Sequence, residues 1–227
     1  MSGEFDVALV RGSCTLLTSD GVARSLPGQR WSAAPDAADR YLLRTCRGPT
    51  LDIGCGPGRL TSALTGSGVV ALGIDTSRLA VSLTTSRNAV ALCRDVFHPV
   101  PGEGDWREAL LVDGNIGIGG DPRALLRRVH QLLRPGGRAW VEVEPPGIGL
   151  WRGTGRVAHT GECGPAFRWA IVGADVIGRL AAATCFELRH LVERCGRWFA
   201  ALDSRAWPPA SAGAGPPGRP VVWPGQR

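Results

Sequence analysis

The chain has 227 residues and a formal net charge of +6, long enough for one domain with a buried core plus appendages and too short for two full domains. All 26 basic residues are arginine, which excludes a Schiff-base or Walker-type lysine. Seven cysteines (Cys14, Cys46, Cys55, Cys93, Cys163, Cys185 and Cys195) form an odd set without a C-x-x-C pair, so neither a disulfide framework nor a bound metal is expected.

Half of the charge excess sits in the last 24 residues, where Arg205, Arg219 and Arg227 face no acid, and no nucleic-acid partner is expected. The sequence shows no leader pattern and no apolar run near the roughly 20 residues of a membrane span. A soluble, cytoplasmic protein with no membrane association is the expectation, and the sequence leaves the oligomeric state open.

The first 31 residues read as extended pieces, "VALVRG" and then "CTLLTSDGVARSLPGQRW", with Asp20-Gly21 as a hairpin turn. They form an N-terminal hairpin or flap. From Pro35, "PDAADRYLLRTC" places acids early and arginine late, as a helix does. Strand-like runs then follow at "TLDIG", "VVALGID", "AVALCR", "EALLVD" and "RAWVEVE". Helix-like stretches separate them at 60–65, 77–88 and 121–133, the last with Asp121 as N-cap and Pro122 at the first position. This alternation predicts an α/β fold, a doubly wound and mostly parallel sheet with helices on both faces, over residues 32–203. "FRWAIVG", "ADVIGRLAAATC" and "ELRHLVERCGRWFAAL" continue it with a strand, a helix and one or two strands. Residues 204–227 are rich in Pro, Gly and Ala and read as a disordered tail.

Two glycine loops carry the chemistry. In "LDIGCGPGRL" a strand ends at Asp52, and Gly54, Gly56 and Gly58 allow a tight turn and close approach of a ligand. A dinucleotide pattern requires glycine where Arg59 stands. Asp52 repels a pyrophosphate and suits a ligand carrying positive charge.

Here the sequence resembles the class I S-adenosylmethionine-dependent methyltransferases. "LDIGCGPGRL" matches the family's first motif, "VVALGID" its second strand ending in Asp75, "CRDVF" the Asp95 region, and "EALLVDG" and "LLRPGGRAWVEVE" the fourth and fifth strands. The match runs from about residue 36 to 144, and the "FRWAIVG" to "FAAL" region is compatible with the last strands of a seven-stranded Rossmann-like sheet. The resemblance implies S-adenosylmethionine as cofactor. It sets Asp52 and the backbone of Gly54, Cys55, Gly56 and Gly58 against the methionine part. Asp75, followed by Thr76, would hold the ribose hydroxyls; Asp95 and Val96 would meet the adenine; Asp113 and Gly114 would border the cofactor.

The second loop, "DGNIGIGGDP", follows the fourth strand and belongs to the substrate side, at the edge where doubly wound sheets bind ligands. It lacks the Asn/Asp-Pro-Pro-aromatic signature of the family's base and amide methyltransferases. Asn115 is expected either to orient the substrate through its amide or to cap a turn. In segment 145–166, His159 is the candidate general base, against a merely solvated loop histidine, and the grouping His159, Glu162, Cys163 is too sparse for a metal site. Trp31 and Trp151 either wall an apolar substrate or pack the flap on the core. The leading reading is methyl transfer to a small molecule, with a bacterial secondary metabolite and an envelope precursor as the classes in view. The competing readings are methylation of RNA or protein and a cofactor-binding partner without turnover. A nicotinamide oxidoreductase conflicts with Asp52, Arg59 and the absence of lysine.

Overall fold

The computed structural model describes residues 3–205. From residue 206 onward, the Pro/Gly-rich tail expected over 204–227 lies outside the described residues. In chain order the elements are α1 (Asp6–Arg11), β1 (Cys14–Thr18), β2 (Ala23–Leu26), α2 (Gly28–Ser32), α3 (Ala37–Thr45), β3 (Thr50–Ile53), α4 (Arg59–Gly66), β4 (Ala71–Asp75), α5 (Arg78–Thr85) and β5 (Ala91–Cys93). There follow β6 (Trp106–Leu111), a 3-10 turn (Asn115–Gly120), α6 (Pro122–Leu132), β7 (Leu133–Val143), β8 (Leu150–His159), β9 (Glu162–Cys163), β10 (Phe167–Val172), α7 (Ile177–Ala182), β11 (Phe186–Arg194) and β12 (Arg197–Ser204).

The seven-stranded sheet runs β11-β12-β7-β6-β3-β4-β5. The five strands from β7 to β5 are parallel, and β12 lies antiparallel between β11 and β7. All four residues of β3 are buried, as a strand covered on both faces requires. One face packs α6 and α7 through Leu125, Val129, Ile177 and Leu180; the other packs α3 and α4 through Leu42, Leu60 and Leu64, with Trp140 and Phe199 beneath. Helix α3 starts in a capping box: Asp36 accepts from the Asp39 amide while Asp39 accepts from the Asp36 amide. Helix α6 starts as read, with Asp121 accepting from Arg123 and Ala124 and Pro122 in the first turn. The chain leaves β3 toward β4 and β5, then returns to β6 on the other side, so the crevice at the carboxyl ends of β3 and β6 is the switch point.

A second, antiparallel sheet runs β10-β8-β1-β2, with β9 paired to β8. The predicted Asp20-Gly21 hairpin forms its edge, and Leu16 pairs with Val157 across most of the chain. It joins the main sheet where the Glu144 amide donates to the Val172 carbonyl at 2.9 Å. Two expectations are corrected here. "VALVRG" lies largely in α1, not in a strand: Asp6 occupies its first turn, Arg11 its last, and Gly12 ends it at φ 76°. "FRWAIVG" does not enter the main sheet, because Phe167–Val172 pairs along its whole length with β8.

Candidate active site

The first glycine loop leaves β3 with Gly54, Gly56 and Gly58 all at positive φ, where a side chain is strained. Sterics single out two of them. A Cβ on Gly54 would stand 2.7 Å from the Asn115 amide nitrogen, and one on Gly58 would stand 2.7 Å from Thr84. Gly56 instead faces open space, and its amide donates to Asp75 Oδ2 at 3.0 Å. The other Asp75 oxygen accepts from the Ser77 amide at 2.8 Å. Burial raises the Asp75 carboxyl above its ordinary range against the pull of these two donors.

Asp52 is 3 % exposed, and its side chain accepts from the Thr61 hydroxyl at 2.7 Å. Burial lifts its pKa to about 7, with the negative fields of Asp113 and Asp75 adding to the shift. Cys55 turns inward, its sulfur 3.8 Å from the Thr84 hydroxyl, and burial pushes the thiol well above its ordinary value. Asp95 Oδ1 accepts from the Phe97 amide at 2.9 Å. Val96 beside it is buried, and Thr76 lines the same cavity.

Asp113 takes a positive φ of 58° at the centre of a charge network. Its oxygens meet Arg30 at 2.5 Å, Arg59, and Arg197 at 3.5 Å. Arg197 forks onto Glu142 through two bonds of 2.8 Å and reaches Asp39 at 2.8 Å and Asp36 at 3.2 Å; Arg59 also pairs with Asp39. The Asp113 amide donates to Glu142 at 2.7 Å. Three guanidiniums and four carboxylates thus tie α2, α3, α4, β7 and β12 to the loop after β6. Paired and bidentate, they are charges that burial tolerates.

The second glycine loop has two jobs. Asn115 uses its amide nitrogen to donate to the carbonyls of Ile53 and Gly54, both at 2.9 Å, fastening the two glycine loops together. Gly117 and Gly120 let the 3-10 turn lie against β10: a Cβ on Gly117 would run into the Ala170 carbonyl, and one on Gly120 would stand 2.9 Å from Arg168. Gly114, at φ 85°, is open to space and lines the cavity with Asp113.

Together the crevice and the second sheet enclose a cavity of about 620 Å³, within the usual size of a small-molecule site. Every residue proposed for the cofactor lines it except Gly58, and so do Asn115 and Trp31. Gly58 is corrected to a turn residue: at φ 82° it is the N-cap of α4, held against Thr84. Trp151 does not line the cavity; its ring lies over Gly153, and it packs on Leu16, Trp169 and Ile171. His159 is likewise outside, near the end of β8, with Nδ1 2.8 Å from the Ser13 carbonyl. Glu162 and Cys163 stand exposed in β9. The sequence reading missed Arg24, Phe5, Phe167 and the arginine network. Arg59 had left a trace, as the residue that breaks the dinucleotide pattern, and Glu142 stood in the alternation of "WVEVE"; Arg197 left none.

Chemically, the crevice offers the buried Asp52 and the half-buried Asp75, both raised above their ordinary range, the carboxylate of Asp95, and glycine backbone open to a ligand. This donor set fits a ligand with positive charge and hydroxyl groups, and S-adenosylmethionine has an ammonium, a sulfonium and a ribose.

Residues 51–141 match a family model described as a methyltransferase domain, and no curated protein matches the sequence. Among solved structures, the chain is similar to an S-adenosylmethionine-dependent methyltransferase from Bacteroides fragilis in complex with S-adenosylhomocysteine: 20% identity, TM-score 0.71, covering 89% of this chain and 93% of that one. It is also similar to the 1,6-didemethyltoxoflavin N1-methyltransferase of Burkholderia thailandensis, with 19% identity, TM-score 0.54 and coverage of 74% and 79%. A third is the sugar N-methyltransferase KedS8 from Streptoalloteichus, with 16% identity, TM-score 0.57 and coverage of 77% and 88%. At these identities the likeness is one of fold. Residues 51–141, with the glycine loop, therefore carry a methyltransferase domain, on a fold shared with S-adenosylmethionine-dependent methyltransferases.

Proposed function

We propose that the enzyme methylates a small molecule held between the main sheet and the second sheet. The observation that carries this is the cavity of about 620 Å³, lined on one side by the motif residues and on the other by β10 and the hairpin. A surface for RNA or a folded protein would be open and broad; this one is walled, with Phe5, Trp31, Phe167 and Trp169 on the side away from the motif residues. The solved relatives point the same way, since one acts on 1,6-didemethyltoxoflavin and another on a sugar.

In this reading Asp52 neutralises the cofactor's ammonium, and the backbone of Gly54, Cys55 and Gly56 takes the methionine part. Asp75 and Thr76 hold the ribose, Asp95 and Val96 the adenine, and Gly114 borders the sulfonium end. When bound, S-adenosylmethionine supplies an electrophilic methyl group on a good leaving group. The chain therefore has mainly to align the nucleophile and keep water out. Asn115 serves by fixing the two loops relative to each other, and Trp31 walls the substrate. For a nucleophile that begins protonated, Glu144 at the carboxyl end of β7, which lines the cavity and makes no ion pair among the described residues, is the base we assign.

The test is calorimetric titration with S-adenosylmethionine and S-adenosylhomocysteine, on the parent and on Asp75→Ala, followed by turnover on small molecules, RNA and protein extracts. Binding that Asp75→Ala loses, with methyl transfer to a small molecule, supports the reading. Transfer to RNA or protein alone, or binding without any transfer, would replace it with one of the competing readings.

A further inference from the structure

Four buried side-chain N–H groups on residues around the cavity lack an acceptor: Nε of Arg24, Arg30 and Arg59, and Nε1 of Trp31. No side-chain oxygen of a cavity-lining residue is stranded in this way among the described residues. A site with surplus donors calls for a ligand that brings acceptors.

Arg24 stands apart from the other two arginines. Arg30 pairs with Asp113, and Arg59 with Asp113 and Asp39, whereas Arg24 makes no ion pair and no side-chain hydrogen bond among the described residues. Asp20, the acid that feels the charge of Arg24, is occupied in the hairpin turn by the Thr18 hydroxyl at 2.6 Å. Register places Arg24 opposite Leu16, and Leu26 follows two positions on, so all three share the face of the second sheet that lines the cavity. Apart from Thr18, whose hydroxyl is engaged by Asp20 and the Val22 carbonyl, that face is apolar. Leu16 and Leu26 both cluster with Phe5 and Phe167. Phe5 in turn contacts Trp31, Phe167 and Trp169 with ring centroids 6.0, 5.2 and 5.2 Å away. An unneutralised guanidinium on such a surface is costly unless a counter-ion arrives.

We propose that this half of the cavity is a substrate subsite for an oxyanion, a carboxylate or a phosphate, carried on an aromatic body. Arg24 pairs with the oxyanion through its guanidinium, and Phe5, Trp31, Phe167 and Trp169 hold the ring. The inference rests on the small-molecule reading above and names its substrate class.

The experiment uses the full chain saturated with S-adenosylhomocysteine, titrated with phenylacetate, phenyl phosphate and the neutral phenylacetamide, and followed by tryptophan fluorescence and calorimetry. The expected result is that at least one anion binds about ten-fold more tightly than the amide, equivalent to about 1.4 kcal/mol. Arg24→Gln removes that preference and leaves the affinity for S-adenosylhomocysteine unchanged, while Arg24→Lys retains part of it. The order of the two anions identifies the oxyanion. Equal binding of acid and amide, no binding of either anion to the loaded protein, or loss of S-adenosylhomocysteine affinity in Arg24→Gln would each overturn the subsite. Failure of the parent protein to bind S-adenosylhomocysteine would instead overturn the cofactor assignment beneath it.

Discussion

Replacing Asp52 with asparagine removes a charge that the fold holds at a cost. The carboxyl lies between β3 and α4 with the Thr61 hydroxyl as its bonded donor, and its pKa rises from 3.8 to about 7. Each unit corresponds to about 1.36 kcal/mol, so holding Asp52 ionised costs the fold on the order of 4 kcal/mol. The folded protein binds this proton more tightly than the unfolded chain. Its contribution to stability is therefore present at low pH and is lost as pH rises from about 4 through about 7. The amide introduced by Asp52→Asn has the same shape as the carboxyl and nothing to titrate. Urea unfolding of parent and variant at about pH 5, 6, 7 and 8 should show a difference in stability that grows with pH in the variant's favour up to about pH 7 and levels off above it. Acids that titrate alike in both proteins cancel in that difference. Parallel profiles would refute the argument, since they would mean that Asp52 is not desolvated. A corollary concerns binding: an ammonium beside Asp52 favours its charged form, so cofactor binding near about pH 6.5 should release a fraction of a proton, measurable by calorimetry in buffers of different ionisation enthalpy.

Arg197→Met should lower stability by about 3–5 kcal/mol in urea, because Glu142, Asp39 and Asp113 lose a shared partner without leaving the interior; a change below about 1 kcal/mol would show the network to be solvated. His159→Gln should leave turnover and its pH profile unaltered, and a shifted profile would bring the imidazole back into the reaction. Asn115→Ala should cost about 1–3 kcal/mol by stranding the Ile53 and Gly54 carbonyls and should weaken S-adenosylhomocysteine binding; lost turnover at unchanged stability would move its role to the substrate. Gly117→Ala should cost about 1–3 kcal/mol by overpacking against the Ala170 carbonyl, and a variant melting with the parent would mean that β10 yields freely.

The main sheet was legible because its signals are local. "TLDIG" and "EALLVD" are short runs built on Leu51 and Ile53 and on Ala109 to Val112, of the kind buried parallel strands need, and Asp121-Pro122 marks a helix start within two residues. The second sheet was legible only in half. Asp20-Gly21 announces a hairpin, yet nothing near Leu16 says that its partner is Val157, and a six-residue segment such as Asp6–Arg11 is too short for a helical period to declare itself. The same distance hid the Asp113 network. Arg197 meets Asp36 from the far end of the chain, and in a sequence whose every base is arginine the residue type does not distinguish a buried partner from a solvated one. The motif side of the cavity was legible because its acids stand at or just beyond strand ends, Asp52 and Asp113 close to glycines; the opposite side was not, because its walls come from β1, β2 and β10 at once.

The pairing of β1 with β8 also sets an order of events during synthesis. Residues 14–26 leave the ribosome long before residues 150–172, and a lone two-stranded hairpin is marginal in water. Until β8 arrives, Leu16, Leu26 and the hairpin's free backbone have no partner sheet, while β3 to β7 already have one another. The second sheet, and with it one wall of the cavity, therefore forms only after β8 has been made. Pairing over so long a stretch of chain is slow to form, and the interval before it is when the exposed hairpin edges are most open to pairing with another chain.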